Sequence, residues 1–143
     1  MRRLYPGKSV SCVSTLDKSR LEERIASRFY GRSLPPAANT VLRRLRNAEF
    51  VVVPDDVPRD LITMNCTIQL VDPILCEEWK LTLVYPEEHD PDRNKWSIFS
   101  PVGAELFGLR RYDAVDVKRD DLPLAGWVIA DIPFQPEASG KSL

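Results

Sequence analysis

The sequence predicts an α+β fold: a short antiparallel helical hairpin, followed by a body of strands around one short helix. Three observations predict it. Apolar residues recur at helical spacing between Ser14 and Ala48, then at alternate positions from Thr67 onward. A break, Pro54-Asp55-Asp56-Val57-Pro58, separates the two regimes. Helical signals return only once after it, at Ser100-Pro101.

Each element has its own local signals. Residues 1–13 show no periodicity and read as a flexible arm. Ser14 and Asp17 stand at capping-box spacing, and Leu21, Ile25 and Phe29 form one apolar stripe that Gly31 ends. Proline in a first turn restarts the chain at Pro35-Pro36, and Ala38, Val41, Leu42, Leu45 and Ala48 form a second stripe. The hairpin, residues 14–49, reaches only ~21 Å and leans on the rest of the molecule. Phe50 to Pro58 reads as a linker opening the body, residues 50–143. There the strands run over 67–71, 79–85, 95–99, 114–118 and 127–132, with turn chemistry at Asp72-Pro73 and from Asp120 to Gly126. The short helix starts at Ser100-Pro101 and stops at Gly108.

The 143 residues suffice for one domain, which hides roughly 68% of the unfolded chain's surface. No apolar run approaches the ~20 residues of a membrane span, and the basic start, MRRLYPGKSV, lacks the apolar core of a signal peptide. The three cysteines, Cys12, Cys66 and Cys76, form no CxxC, which argues against a zinc ribbon or disulfide scaffold and for the reducing cytoplasm. The net charge of −1 hides an asymmetry: residues 1–50 carry +7 and residues 51–143 carry −8. A basic segment on an acidic body suits an acidic or polyanionic partner, and equally suits attraction between the two halves.

Few residues suggest catalysis or ligand binding. His89, the only histidine, stands among Glu87, Glu88 and Asp90 and reads as solvated. Asp90 to Asn94 opens like a calcium loop, but Lys95 stands where glycine belongs and Pro101 where glutamate belongs. Cys66 and Cys76 face each other across the first hairpin or remain buried free thiols. No phosphate-binding glycine motif occurs. The expectation is a protein that is not an enzyme and holds no cofactor and no metal.

Three segments carry a resemblance: Asp60 to Asn65; Leu83 to Pro86 with Ser97-Ile98-Phe99-Ser100-Pro101-Val102-Gly103-Ala104-Glu105-Leu106-Phe107-Gly108-Leu109; and Ile132 to Gly140. On these the chain resembles the GreA/GreB transcription elongation factor family, most of all its short branch, the regulators of nucleoside diphosphate kinase. The resemblance is strong over residues 50–140 and weak over the hairpin. It implies an FKBP-like antiparallel β-sheet domain with one helix, behind a coiled coil, and binding to bacterial RNA polymerase at the rim of the secondary channel. In the longer relatives the coil presents acidic residues that help the catalytic magnesium cleave backtracked RNA by holding a second metal. Here the tip, Tyr30 to Pro36, has no carboxylate and carries Arg32 instead, so transcript cleavage is not expected. Where longer relatives have Val-Gly-Asp, this chain has Arg111-Tyr112-Asp113.

The resemblance places Ser100, Pro101 and Val102 on the docking side, with Arg110 and Arg111 as further candidates. Ser100 and Pro101 equally read as an ordinary cap and first turn. The basic hairpin face, Arg20, Arg24, Arg28, Arg43, Arg44 and Arg46, meets acidic polymerase surface or RNA, or is simply solvated. The leading expectation is a noncatalytic regulator on RNA polymerase. The alternative is direct contact with nucleoside diphosphate kinase. A prolyl isomerase rests on fold analogy alone, and direct nucleic-acid binding would show a steep salt dependence.

Overall fold

The computed structural model describes residues 11–115 and 126–140. Strand β1 (Cys12–Ser14) leads directly into helix α1 (Thr15–Arg28), and helix α2 (Pro36–Arg46) follows a loop over 29–35. Strand β2 (Phe50–Val52) pairs in parallel with β1. The body contains β3 (Thr67–Val71), β4 (Glu78–Val84), β5 (Lys95–Ser97), helix α3 (Pro101–Leu106) and β6 (Val128–Phe134).

The four body strands form one sheet in the order β5-β4-β3-β6. β3 is antiparallel to both neighbours, whereas β5 lies parallel to β4, joined to it by short 3-10 turns rather than a tight hairpin. The alternation expected of β3 holds: Ile68 and Leu70 are fully buried and Thr67, Gln69 and Val71 are half-buried. The register of β3 against β6 shifts near Gln69, which marks a bulge.

One core joins helices and sheet. Leu21 and Ile25 of α1, and Val41 and Leu45 of α2, pack in the same cluster as Ile68, Leu70, Leu81 and Leu83 of the sheet and Val102 and Leu106 of α3. Phe29, just past α1, meets Phe99 edge-on at 5.5 Å. A pair of short helices would bury too little alone. Here it is held by the body.

Several expectations change. Cys12 and Val13 belong to a strand rather than the arm, and Phe50 to Val52 is that strand's partner rather than plain linker. The short hydrogen-bonded ladder explains both: the amides of Glu49 and Phe50 donate to the Ser11 carbonyl. Residues 1–10 lie outside the described residues. The strand expected over 114–118 is, within them, one bridge between Ala114 and Val128, and the turn expected from Asp120 begins outside them. Cys66 and Cys76 do not face each other. Cys66 is buried beside the start of β3, whereas Cys76 is exposed in the turn before β4. His89 is exposed but not merely solvated: its Nδ1 accepts a hydrogen bond from the Ser97 amide at 2.9 Å.

Candidate functional site

The three segments that carried the resemblance converge on the loop over residues 60–65. The Ile62 amide donates to the Leu109 carbonyl, and the Gly108 amide donates back to Ile62. Gln135, 4% exposed, donates through Nε2 to the carbonyls of Pro58 and Leu61 at 2.7 and 2.8 Å. The Thr63 hydroxyl donates to Glu137 at 2.8 Å. Buried backbone polar groups must be paired, and here residues distant in sequence pair them. The motif is thus largely an interlock that fixes the loop.

α1 joins this interlock through a residue the sequence reading assigned elsewhere. Ser14 caps α1 as expected, its hydroxyl accepting the Asp17 amide at 3.0 Å. The Asp17 carboxylate, however, turns inward and accepts the Met64 amide at 3.2 Å. Asp17 is 2% exposed. Burial pushes its pKa up to about 7, opposed by the Met64 hydrogen bond and aided by the nearby Glu137 charge. Burial likewise pushes the Cys66 thiol up to about 12, which makes it an inert structural thiol.

The corner before α3 is built around Ser97. Its amide donates to His89, its Oγ accepts the Phe99 amide at 3.0 Å, and its carbonyl accepts the Ser100 hydroxyl at 2.6 Å. The Ser100 hydroxyl in turn accepts the Gly103 amide at 3.1 Å. A Cβ at Gly103 would lie 2.0 Å from the Ser97 carbonyl oxygen, so only glycine lets α3 sit this close to β5. Ser100 and Pro101 remain half-exposed on the outside of this corner. Val102 does not: it is 4% exposed and belongs to the core. The expected placement of Val102 on the docking side is therefore corrected. One step along a helix turns the side chain by about 100°, here from the half-exposed Pro101 into the core.

The arginines divide. Arg110 bonds Asp60 at 2.7 Å, and its amide donates to Asp113. Arg111 is exposed, donates to the Ala130 carbonyl and lies 4.8 Å over the Tyr112 ring. Tyr112 has φ 76°, a conformation that favours glycine, and is 67% exposed. On the helices, Arg24 stacks over Tyr85 at 4.0 Å and pairs with Glu87 at 2.6 Å. Arg20 lines an open cleft of about 500 Å³ with Arg24, Asn65, Tyr85, Glu87 and Glu88. Arg44 was expected on an outward basic face. It instead donates to the carbonyls of Ala104, Glu105 and Phe107 at 2.7–2.9 Å and meets the Glu105 carboxylate at 3.3 Å. These are carbonyls at the C-terminal end of α3, which lack intrahelical partners and attract a cation. Arg28, Arg43 and Arg46 are exposed.

Sequence reasoning missed Ser97, Asp17, Thr63 and Glu137 as organising residues. Ser97, Thr63 and Glu137 lay within the recognised segments, and that was their only signal. Among the described residues, no group of three or more His, Cys, Asp or Glu is placed to hold a metal ion, and no helix is long and apolar enough to cross a membrane.

Comparison with known proteins places this architecture. A regulator of nucleoside diphosphate kinase from Escherichia coli K12 is 28% identical over 132 residues, 92% of this chain and 94% of that protein. Transcription elongation factor GreA from Thermoanaerobacter pseudethanolicus is 35% identical over 79 residues, 55% of this chain but 50% of that longer protein. A solved GreA/GreB elongation factor from Nitrosomonas europaea superposes with a TM-score of 0.73 at 31% identity, covering 89% of this chain and 100% of that one. The family described as transcription elongation factor GreA/GreB, C-terminal, matches residues 57–132, which include the loop over 60–65, the Ser97 corner and α3. The chain belongs to the GreA/GreB transcription elongation factor family.

Proposed function

We propose that this chain is a noncatalytic transcription regulator that binds bacterial RNA polymerase at the secondary-channel rim. In this reading the body docks, and the short pair of helices does not stimulate transcript cleavage. The observation that carries the proposal is the Ser97 corner. It holds Ser100 and Pro101 at the surface in one fixed geometry, inside the region that matches the family. A preorganised polar edge of this kind loses little entropy on docking. Arg110 and Arg111 flank the same body, and Arg111 presents an exposed guanidinium and a stacked tyrosine, residue types favoured at interface hot spots.

The chemistry of the loop between the helices supports a role without cleavage. A second catalytic metal needs anionic oxygen ligands. The loop joining the helices, Phe29 to Pro35, contains none, and Arg32 would repel a cation.

The test is binding to bacterial core RNA polymerase by the natural chain and by Ser100→Asp. Aspartate still accepts the Gly103 amide as a helix cap but gives up the hydroxyl's bond to the Ser97 carbonyl, so folding of the variant is checked beside its binding. It adds a charge at the docking edge. Binding that weakens about tenfold or more, ~1.4 kcal/mol, in a variant that stays folded at the temperature of the measurement is expected. No binding by the natural chain would contradict the proposal. The E. coli relative, a regulator of nucleoside diphosphate kinase, favours a second reading, direct contact with that kinase, and a parallel titration with the kinase separates the two.

A further inference from the structure

A groove of about 390 Å³ runs between α1 and α2, lined by Ile25, Ala26 and Phe29 on one side and Leu34 and Leu42 on the other. Phe29, Leu34 and Leu42 are half-buried and Ala26 is exposed, so apolar surface remains open to water. The edge is cationic. Arg46 lines the groove, Arg43 is its neighbour on α2, and Arg32 stands in the loop between the helices; all three are exposed. None of the three has a hydrogen bond or ion pair among the described residues, whereas Arg24, Arg44 and Arg110 are each paired with a carboxylate. The groove's one carboxylate, Glu22, is already held by Lys18 at 2.7 Å.

We infer that this groove receives an amphipathic helix of a partner protein, with apolar side chains on one face and acidic residues beside them. Charge complementarity selects the acidic flank. Geometry selects a helix: the walls are helices whose backbone groups are already bonded, so no sheet edge is offered, and a helix delivers apolar side chains at i, i+4 and i+7 into such a seam. Among the described residues, the body of a second copy offers no matching element. Its α3 is short and packed into its own core, and the other helical turns of its body span three residues each. RNA would engage the arginines but leave the aliphatic floor in water. The inference goes beyond the polymerase reading and does not depend on it, because the groove lies on the helices and the Ser97 corner on the body.

The probe is a fluorescent peptide of about 15 residues, ~22 Å of helix, with leucines at i, i+4, i+7 and i+11 and glutamates on its other faces. It is titrated with the full chain by anisotropy. Saturable binding is expected. It should weaken about tenfold or more in Ala26→Glu, and likewise in the double variant Arg43→Glu, Arg46→Glu. These positions are exposed, so both variants should stay folded, the double variant melting somewhat lower because its new carboxylates stand at the negative end of α2, and Ser100→Asp should leave the affinity unchanged. A lysine-for-glutamate peptide and a serine-for-leucine peptide should each bind about tenfold more weakly or worse. Absence of saturable binding would overturn the inference. So would equal binding of the lysine peptide, retention by the serine peptide, or indifference to both groove variants. Displacement of the peptide by tighter-binding single-stranded RNA would assign the surface to nucleic acid instead. Dimers in sedimentation that Ala26→Glu abolishes would assign it to a second copy.

Discussion

Single residues do the unexpected work in this chain, and Asp17 most of all. A residue placed for a helix cap instead carries a buried carboxylate to the Met64 amide, joining α1 to the loop over 60–65. Its neighbours set its titration. Burial and Glu137 raise its pKa, while the Met64 amide and Arg20 lower it. The folded value of about 7 lies above the ordinary 3.8. The folded state therefore holds this proton more tightly than the unfolded state. The associated stability is fully present below about pH 4 and is lost as pH rises toward and through 7. Urea denaturation of Asp17→Asn should show a flatter dependence between pH 5 and 8 and a gain over the natural chain at pH 8. Asparagine keeps an oxygen for Met64 without the buried charge. An unchanged pH slope would remove Asp17 as its source.

Arg44 shows the same lesson where residue meets element. It stands three positions after Val41 and beside Leu45, on the flank of the apolar stripe, and its stem can follow that stripe inward. Arg24 has the corresponding place beside Leu21 and Ile25 and finds Tyr85 and Glu87. Charge counting along the sequence put both on an outward basic face, but helical spacing already set them at its edge. Arg44→Ala should cost about 2–3 kcal/mol, the value of hydrogen bonds to a charged donor, because three carbonyls at the end of α3 lose their partner. Arg44→Lys should recover only part of that loss, since an ammonium lacks the fork that spans them. Equal stability of all three proteins in urea would refute the clamp. At the element scale the helices, the α3 start at Ser100-Pro101 and the strands β3 and β4 were legible, because caps, prolines and period two act over a few residues. β1 and its parallel partner β2 were not. Each has three residues, and the pairing spans 38 positions, beyond what local patterning records. The parallel placement of β5 was equally hidden, since chain direction within a sheet leaves no trace in a short apolar run.

On the scale of the whole molecule, one core makes the short helices part of the body, and the family assignment rests on segments that meet in space. The corner at Ser97 was partly legible: the Ser-Pro-Val-Gly-Ala run was singled out, and Gly103 now has a steric reason. Which face of that run is outward was not legible for Val102, because a two-turn helix is too short to show a stripe. The candidate surface that emerges is narrower than the sequence suggested, Ser100 and Pro101 with Arg111 nearby in chain order, while the helices present a separate cationic groove. In the proposed function the Ser97 corner touches RNA polymerase. The most direct measurement is photo-crosslinking to bacterial core RNA polymerase from a benzoylphenylalanine placed at Pro101, with Glu77 in the exposed β3–β4 turn as the comparison site. A polymerase adduct should form from position 101 and none from 77. No adduct from 101, or an adduct formed instead with nucleoside diphosphate kinase in a mixture of the two, would contradict it.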